Sequence, residues 1–587
     1  MFHKIKKYTT TNDVFNIALI ILSVCLLFGV SIFQSTMTWR TDAYFHLSRI
    51  HDMASYIKTL QLPLMVDIHA FANTGQAING MYPCFSLFPF IILTSALKPI
   101  AQYETIIFAF ILLGSLLNYF VFQKLHASKL QSLTAVFATF TFINIFYSSS
   151  LNLFGVWSIY FLLPLSILSL KKISKKANYV FVMTLAASVS FVLNTHLVSA
   201  ILLVLALFCY FIYLILHCTQ KEYFVFKTIL AGIISVWLSL PTLASIISFS
   251  ETRLSTVQTF PLASSTLNIE SMIHSLTNPS IFGAATPPIF GILLIADVIL
   301  LSNIKHFNNN YKIIILSIFL AQFLISPYFP WALLQKTPVA IIQFPTRLVP
   351  LILSVITIVL YTANKLNKSG FLFVTIIFSV AITFSYQTSN LLVKTNFPSF
   401  RNINKTNEDL SSLIPKSREN TKIDNSTLLD PSFYSISSFP EYIPNPKNQK
   451  GSDLFRNIDT VNKHELLVNS EPTAKYKVTN QGNSISFEFN NEVKGIVDLP
   501  IWYYPNMNYV ITINRKHVPV HASRRHTLEI RNATTKNINV VIKNPKIISY
   551  SYVFSILGWI TLFILPLLFK KRFADNDDMM NSHIKKH

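Results

Sequence analysis

The feature that most constrains this chain is its series of apolar runs, each roughly 16 to 23 residues long with few or no charges. A run of about 20 such residues crosses a hydrocarbon core as a helix, because a helix satisfies its backbone N–H and C=O groups internally. Such runs stand near 14–33, 103–123, 132–149, 155–170, 178–194, 197–216, 226–248, 286–303, 312–326, 347–363, 370–388 and 550–569. They predict a polytopic α-helical membrane protein with about 12 spans. Only 13% of the residues are charged, about half the usual share, which excludes a soluble enzyme or a disordered regulator. The net charge is +22. In a soluble chain that surplus would suggest nucleic acid. Here much of it sits in short loops between spans, where it sets orientation, and no nucleic-acid partner is expected. Cys25, Cys84, Cys209 and Cys218 have no metal-ligand spacing.

A basic start precedes the run from Val14 to Phe33, with no small-residue cleavage site after it. It reads as a retained first span with residue 34 onward outside. The apolar stretch 84–98 is short, contains Pro89 and ends at Lys98-Pro99. If it crossed, the basic loop Lys171–Lys176, Lys305, Lys365 and the final Lys570–Arg572 would all lie outside. The positive-inside rule therefore predicts that 84–98 dips in and returns to the outer face. This divides the chain into a membrane module over 1–389 with a large first outer loop (34–102), an extracytoplasmic domain over 390–548, and a last span with a basic tail over 549–587.

Within 390–548 the apolar runs give way to polar sequence, loop-rich at first with repeated prolines. Period-2 alternation then appears at Lys475–Thr479, Ser484–Phe489, Tyr509–Ile513, Thr527–Ile530 and Asn537–Ile542. Turns are expected at Gln481-Gly482-Asn483 and Asn514-Arg515-Lys516. The expectation is a β-sandwich-like domain, acting as an acceptor-binding module or lid, or as a cap that stabilises the bundle.

The chemistry-bearing residues share the outer side. After the first span the pattern fits a short amphipathic helix, placing Asp42, His46 and Arg49 on one face at i, i+4 and i+7. A carboxylate can take a proton from an attacking hydroxyl. Arginine and histidine can offset the charge of a leaving phosphate. Without that role, the same spacing describes a solvated interfacial helix. His196, in Asn194-Thr195-His196 between two spans, reads equally as a packing residue or as a group facing a cavity. In Gln343-Phe344-Pro345-Thr346-Arg347, the guanidinium would clamp a phosphate or snorkel to a lipid headgroup. Asp52 is a further binding candidate. Asp67 would pair with Asp42 or Asp52 around a divalent cation, and no other cofactor is implied.

Taken in order, these segments resemble a known group. They are Asp42-Ala-Tyr-Phe-His-Leu-Ser-Arg-Ile50, Met81-Tyr-Pro83-Cys-Phe-Ser-Leu-Phe-Pro89, Thr195-His196, Gln343-Phe-Pro-Thr-Arg347 and Leu499-Pro-Ile-Trp-Tyr-Tyr-Pro505. The set resembles the bacterial YfhO-like membrane proteins, often labelled 6-pyruvoyl-tetrahydropterin synthase-related, in patches from about 38 to 560. The chain departs from them at Thr346, where relatives commonly carry Trp, and across 61–80, which lacks an Arg-Trp and paired glycines often found there. The resemblance implies a GT-C fold and a catalytic acid in the first outer loop, which maps to Asp42. It also implies a polyprenyl-phosphate-linked sugar as donor.

The combined expectation is a GT-C-type glycosyltransferase of a bacterial plasma membrane. It would move a sugar to an extracytoplasmic cell-envelope acceptor such as a teichoic acid, another polysaccharide or a glycolipid. Asp42 would be the general base, with His46, Arg49, Asp52, His196, Gln343 and Arg347 binding substrate. The alternatives are a lipid-linked oligosaccharide flippase or exporter and a non-catalytic envelope scaffold.

Overall fold

The computed structural model describes residues 12–39, 43–147, 157–175, 179–255, 261–270, 289–363, 421–435, 440–445, 452–473 and 476–568, with Thr9, Gly155 and a few isolated positions besides. Five helices are long and apolar enough to cross a membrane: Asp13–Phe33, Pro99–Lys124, Leu197–His217, Pro345–Thr362 and Lys546–Ile564. A sixth candidate is the pair Lys221–Leu238 and Leu240–Ser250, bent by 70°. Tyr179–Leu193, Leu293–Ser302 and Asn309–Ile325 are apolar but shorter. The expected span at 370–388 falls mostly outside the described residues.

The bend interrupts the apolar run expected as one span over 226–248. Pro241 stands in the first turn of the second helix and cannot donate a backbone bond into the preceding turn. The carbonyl of Leu238, left at the break, accepts instead from Asn194 Nδ2 (3.1 Å), Ser555 Oγ (2.6 Å) and Trp559 Nε1 (3.2 Å). Two distant segments, that of Asn194 and the helix carrying Ser555 and Trp559, are thereby tied to one helix end, as an orphaned terminal carbonyl in apolar surroundings requires. On Leu197–His217 the outward stripe Ile201, Val204, Leu205, Phe208, Ile212 and Leu216 is exposed, the surface a lipid-facing helix presents.

The helix Asp13–Phe28 and the helix Pro99–Lys124 run antiparallel. The start of the first meets the end of the second, where Tyr119 Oη donates to Asp13 (2.7 Å) and Lys129 pairs with Asp13 (2.6 Å). The chain between them therefore makes no net crossing. Apolar residues 85–94 form a helical segment about 15 Å long at 1.5 Å per residue, half of what a span needs. Its start is held by Ser86, whose Oγ bonds Asn194 O (2.9 Å) and Thr195 Oγ1 (2.8 Å). Just past its end, Ile100 N donates to Asn425 Oδ1 (3.0 Å). The segment 85–94 is therefore too short to cross as a helix by itself.

Strand β1 (Thr36–Trp39) pairs antiparallel with β2 (Thr421–Asp424). The remaining strands are β3 (Leu467–Val468), β4 (Glu471–Pro472), β5 (Tyr476–Gln481), β6 (Ser484–Trp502), β7 (Asn508–Ile513), β8 (Lys516–Val518), β9 (His521–Ala522) and β10 (Thr527–Lys543). They form one antiparallel sheet ordered β4-β3-β6-β10-β7-β8, with β5 on β6 and β9 on β10. Two separate packed sheets were expected. Instead β6 and β10 run through both halves and bulge near Gly495 and Ala533, so the sheet bends rather than splits. The two expected strands at 527–530 and 537–542 are one strand for the same reason. The turn at Asn514-Arg515 has both residues at positive φ (48° and 65°), matching the type I′ hairpin that a two-residue loop favours.

The loop within 34–102 lies against this sheet. Trp502 N donates to Thr74 O (2.8 Å), Asn480 Nδ2 to Ile68 O (2.7 Å) and Asn544 Nδ2 to Pro63 O (2.8 Å). Ala77 N donates to Tyr504 Oη (3.0 Å). A Cβ on Gly75 would approach Ile501 Cγ2 to 3.2 Å. The Leu499–Pro505 motif is therefore packing between sheet and loop, with Leu499, Ile501, Trp502 and Tyr504 all buried.

Candidate functional site

The amphipathic helix expected after the first span is Ala43–Lys58. Asp42, the expected base, lies outside the described residues. His46 and Arg49 are 3% and 2% exposed and share the buried face, as their spacing predicts. Both meet Tyr82. The Arg49 guanidinium lies 4.5 Å from the Tyr82 ring centroid and 5.5 Å from that of Phe45, and its Nη2 donates to Pro83 O at 2.7 Å. Ring centroids of Phe45, His196 and His46 stand 5.0, 5.6 and 6.4 Å from Tyr82. Tyr82 is thus the hub on which the helix face and the His196 junction meet.

His196 has both roles the sequence left open. It caps the helix Leu197–His217: Ser199 N donates to its Nδ1 (3.2 Å), and Ser199 Oγ lies 2.8 Å away. An accepting Nδ1 leaves the neutral ring's proton on Nε2. Burial, then the charges of Arg347, Arg49 and His46, push its pKa down to about 3. The ring is therefore neutral at ordinary pH, a hydrogen-bond donor without charge. Gly155 leaves room beside it: a Cβ there would lie 3.5 Å from both the His196 ring and Tyr82 Oη.

Arg347 comes from the far end of the membrane module. Pro345 prevents one continuous helix, and two short 3₁₀ turns, Pro338–Ile342 and Pro345–Leu348, flank the break. Gln343 occupies the break at φ +57°, and its Oε1 accepts from Arg347 Nη2 at 2.6 Å. The backbone that defeats a simple helix is what lets Gln343 orient the guanidinium. Arg347 and Arg49 both act electrostatically on His196 and on Tyr442. Residues 46, 49, 82, 196, 343 and 347 accordingly belong to one neighbourhood, together with Tyr442, which sequence reading missed.

Asp52 stands apart. It is fully buried, accepting from His69 N (3.0 Å) through Oδ1 and from Asn79 Nδ2 (2.7 Å) through Oδ2. Both of its oxygens accept bonds from within the first loop. Beside it is Asp67, equally buried, whose Oδ2 accepts from Asn79 N (3.0 Å). Burial, and next the neighbouring Asp52 charge, hold the Asp67 carboxyl well above the carboxylate range. Two like charges so close in a dry site cannot both ionise readily. The pairing of Asp67 with Asp52 was weighed from sequence as a cation site. Among the described residues, no group of three or more His, Cys, Asp or Glu side chains could hold a metal ion.

Arg49, His46 and His196 gather on Tyr82, and the charge of Arg347 also acts on His196. Guanidinium forks suit phosphate oxygens, and low-dielectric surroundings strengthen such contacts. The chain matches no protein-family model, and no curated protein is similar to it.

Proposed function

We propose that this protein is a GT-C-type membrane glycosyltransferase with about 12 spans, moving a sugar from a polyprenyl-phosphate donor to an extracytoplasmic cell-envelope acceptor. The observation that carries the reading is the packing of Arg49 and the neutral His196 on Tyr82, with the charge of Arg347, nearly 300 positions from Arg49, also acting on His196. Positive charge at the ends of apolar helices suits the phosphate of a lipid-linked donor whose tail stays in the bilayer. Arg49 and Arg347 would neutralise the leaving phosphate. His196 would donate a hydrogen bond from Nε2. Asp42 would accept the proton of the attacking acceptor hydroxyl. The sheet domain would stand outside the plasma membrane, over the first loop.

A sugar-transfer assay with purified protein, a polyprenyl-phosphate-linked sugar and envelope glycopolymer tests this reading. Transfer that is lost in Asp42→Asn and in Arg347→Gln is expected. Full turnover by Asp42→Asn removes the proposed base.

A further inference from the structure

The end of the bundle opposite His196 carries a second gathering of positive charge. The helix Tyr179–Leu193 has 15 residues, about 22 Å at 1.5 Å per residue, and separates Tyr179 from the Asn194-Thr195-His196 junction. Just before Tyr179, Lys171, Lys172 and Lys175 stand at and beyond the end of the helix Ser158–Ile173. Between them Ser174 O accepts from Cys218 Sγ at 3.3 Å, which brings these lysines to the start of the helix Lys221–Leu238. Leu125 packs with Leu168, one turn before Lys171, so His126 stands at the same end. Within 171–175 and 217–230 the sequence has five lysines and one acid, Glu222. Among the described residues none of the five lysines makes an ion pair.

Four of the five are what a loop between spans needs to set orientation. Lys227 is different. It stands in the second turn of its helix, on the buried face with Phe224, Ala231 and Leu238, and is 2% exposed. Its ammonium lies against the Tyr179 ring and 5.2 Å from the Tyr223 ring centroid. Ring faces attract a cation and offset part of its lost hydration. They supply no anion, and a cation without one is unfavourable in apolar surroundings. On the same helix Phe226 and Ile229 are 60% and 57% exposed, the kind of surface that faces acyl chains. An anion that reaches this ammonium from the headgroup layer can lay its tails along those two side chains.

We propose that Lys227, with Lys171, Lys172, Lys175 and Lys221 around it, binds the phosphate of an anionic phospholipid at the end of the bundle opposite His196. Basic recesses between helix ends hold such headgroups, and lysine serves a phosphate as a compact point charge. The inference is independent of the sugar-transfer reading and uses none of its residues.

The test is native mass spectrometry of the full-length detergent-purified protein, titrated separately with cardiolipin, phosphatidylcholine and inorganic phosphate. One cardiolipin per chain, held more tightly than phosphatidylcholine, is expected. Lys227→Met keeps an unbranched stem and removes the charge. It should weaken cardiolipin roughly 10- to 100-fold, as loss of a charge-assisted contact does, and leave phosphatidylcholine unchanged. The combined Lys171→Gln, Lys172→Gln and Lys175→Gln variant alters only side chains at least partly exposed. At roughly fivefold for each charge, it should weaken cardiolipin on the order of 100-fold. Equal affinity of the unmodified protein for the two lipids overturns the proposal, and so does unchanged cardiolipin affinity in Lys227→Met. Where Lys227→Met does not fold, unchanged cardiolipin affinity in the triple variant overturns it. Inorganic phosphate bound as tightly as cardiolipin would assign the site to a soluble anion and refute the lipid.

Discussion

Replacing Asp67 by Asn should stabilise the protein at neutral pH, although it removes a buried acid. In the folded chain, burial and the adjacent Asp52 hold the Asp67 proton in place. In the unfolded chain an aspartate releases it near pH 3.9. Above about pH 4 the folded state therefore binds one proton more than the unfolded state. Stability falls as pH rises, until the folded carboxyl ionises too. One proton corresponds to about 1.4 kcal/mol per pH unit. Asn keeps an oxygen for Asn79 N, now 3.0 Å from Asp67 Oδ2, and does not titrate. The unfolding midpoint of Asp67→Asn in detergent, followed from pH 5 to 7, should climb relative to wild type by on the order of 1 °C per pH unit. Asp52→Asn should do the opposite. Its two oxygens accept from His69 N and Asn79 Nδ2, and an amide would turn a donor toward one of them, costing about 1–3 kcal/mol. Parallel wild-type and Asp67→Asn profiles would refute the shared-proton account.

His196 gives the converse pH signature. Its folded pKa of about 3 lies below the unfolded value near 6.5, so stability is complete above about pH 6.5 and is lost as pH falls toward 3. The linkage reaches roughly 2 kcal/mol at pH 5. His196→Asn, which keeps a capping oxygen, should flatten that acid limb in thermal unfolding. Two glycines should separate cleanly by thermal shift. Gly80→Ala puts a Cβ 2.4 Å from Phe249 and 3.0 Å from Met65 O, and should destabilise by about 1–3 kcal/mol. Gly232→Ala meets nothing within 4 Å inside a helix, and should gain about 0.5–1 kcal/mol. Tyr504→Phe leaves the buried Ala77 N–H without its acceptor and frees Tyr442 O. It should lower the unfolding midpoint by the equivalent of about 1–3 kcal/mol.

What the sequence disclosed follows from what periodicity records. Apolar runs report each segment's surroundings, so the helical membrane character was readable. Period-2 alternation likewise marked β5, β6 and β7. It failed where bulges shift the register within β10, because a one-residue slip breaks alternation without ending the strand. The helix face carrying His46 and Arg49 was readable for the same reason as the spans. Their partners were not, because the contacts depend on turns with no compositional mark. The loop that brings Asp67 beside Asp52 passes through Phe71, Ala72 and Asn73 at φ 55°, 60° and 54°. Gln343 and Tyr442 are likewise left-handed without being glycine. Propensity rules expect glycine there because the free cost to other residues is high.

That departure from local preference is itself informative. A sequence usually agrees with its fold at every level, and the disagreements gather where the structure must hold a group in place. Here the left-handed residues at 71–73 and 343 serve the carboxylate pair and Arg347, and that at 442 lies in a turn held to Ser255. Each turn is fixed by a side-chain bond, local for Arg347 to Gln343 and within the first loop for His69 N to Asp52, while Ser255 ties the 440–443 turn from far away in the chain. The rigid helices fix the level of the site, while these strained turns decide which side chains reach it. Substitutions that relax a turn while keeping its side chain should therefore alter phosphate binding more than stability, whereas substitutions within the apolar helices should do the reverse.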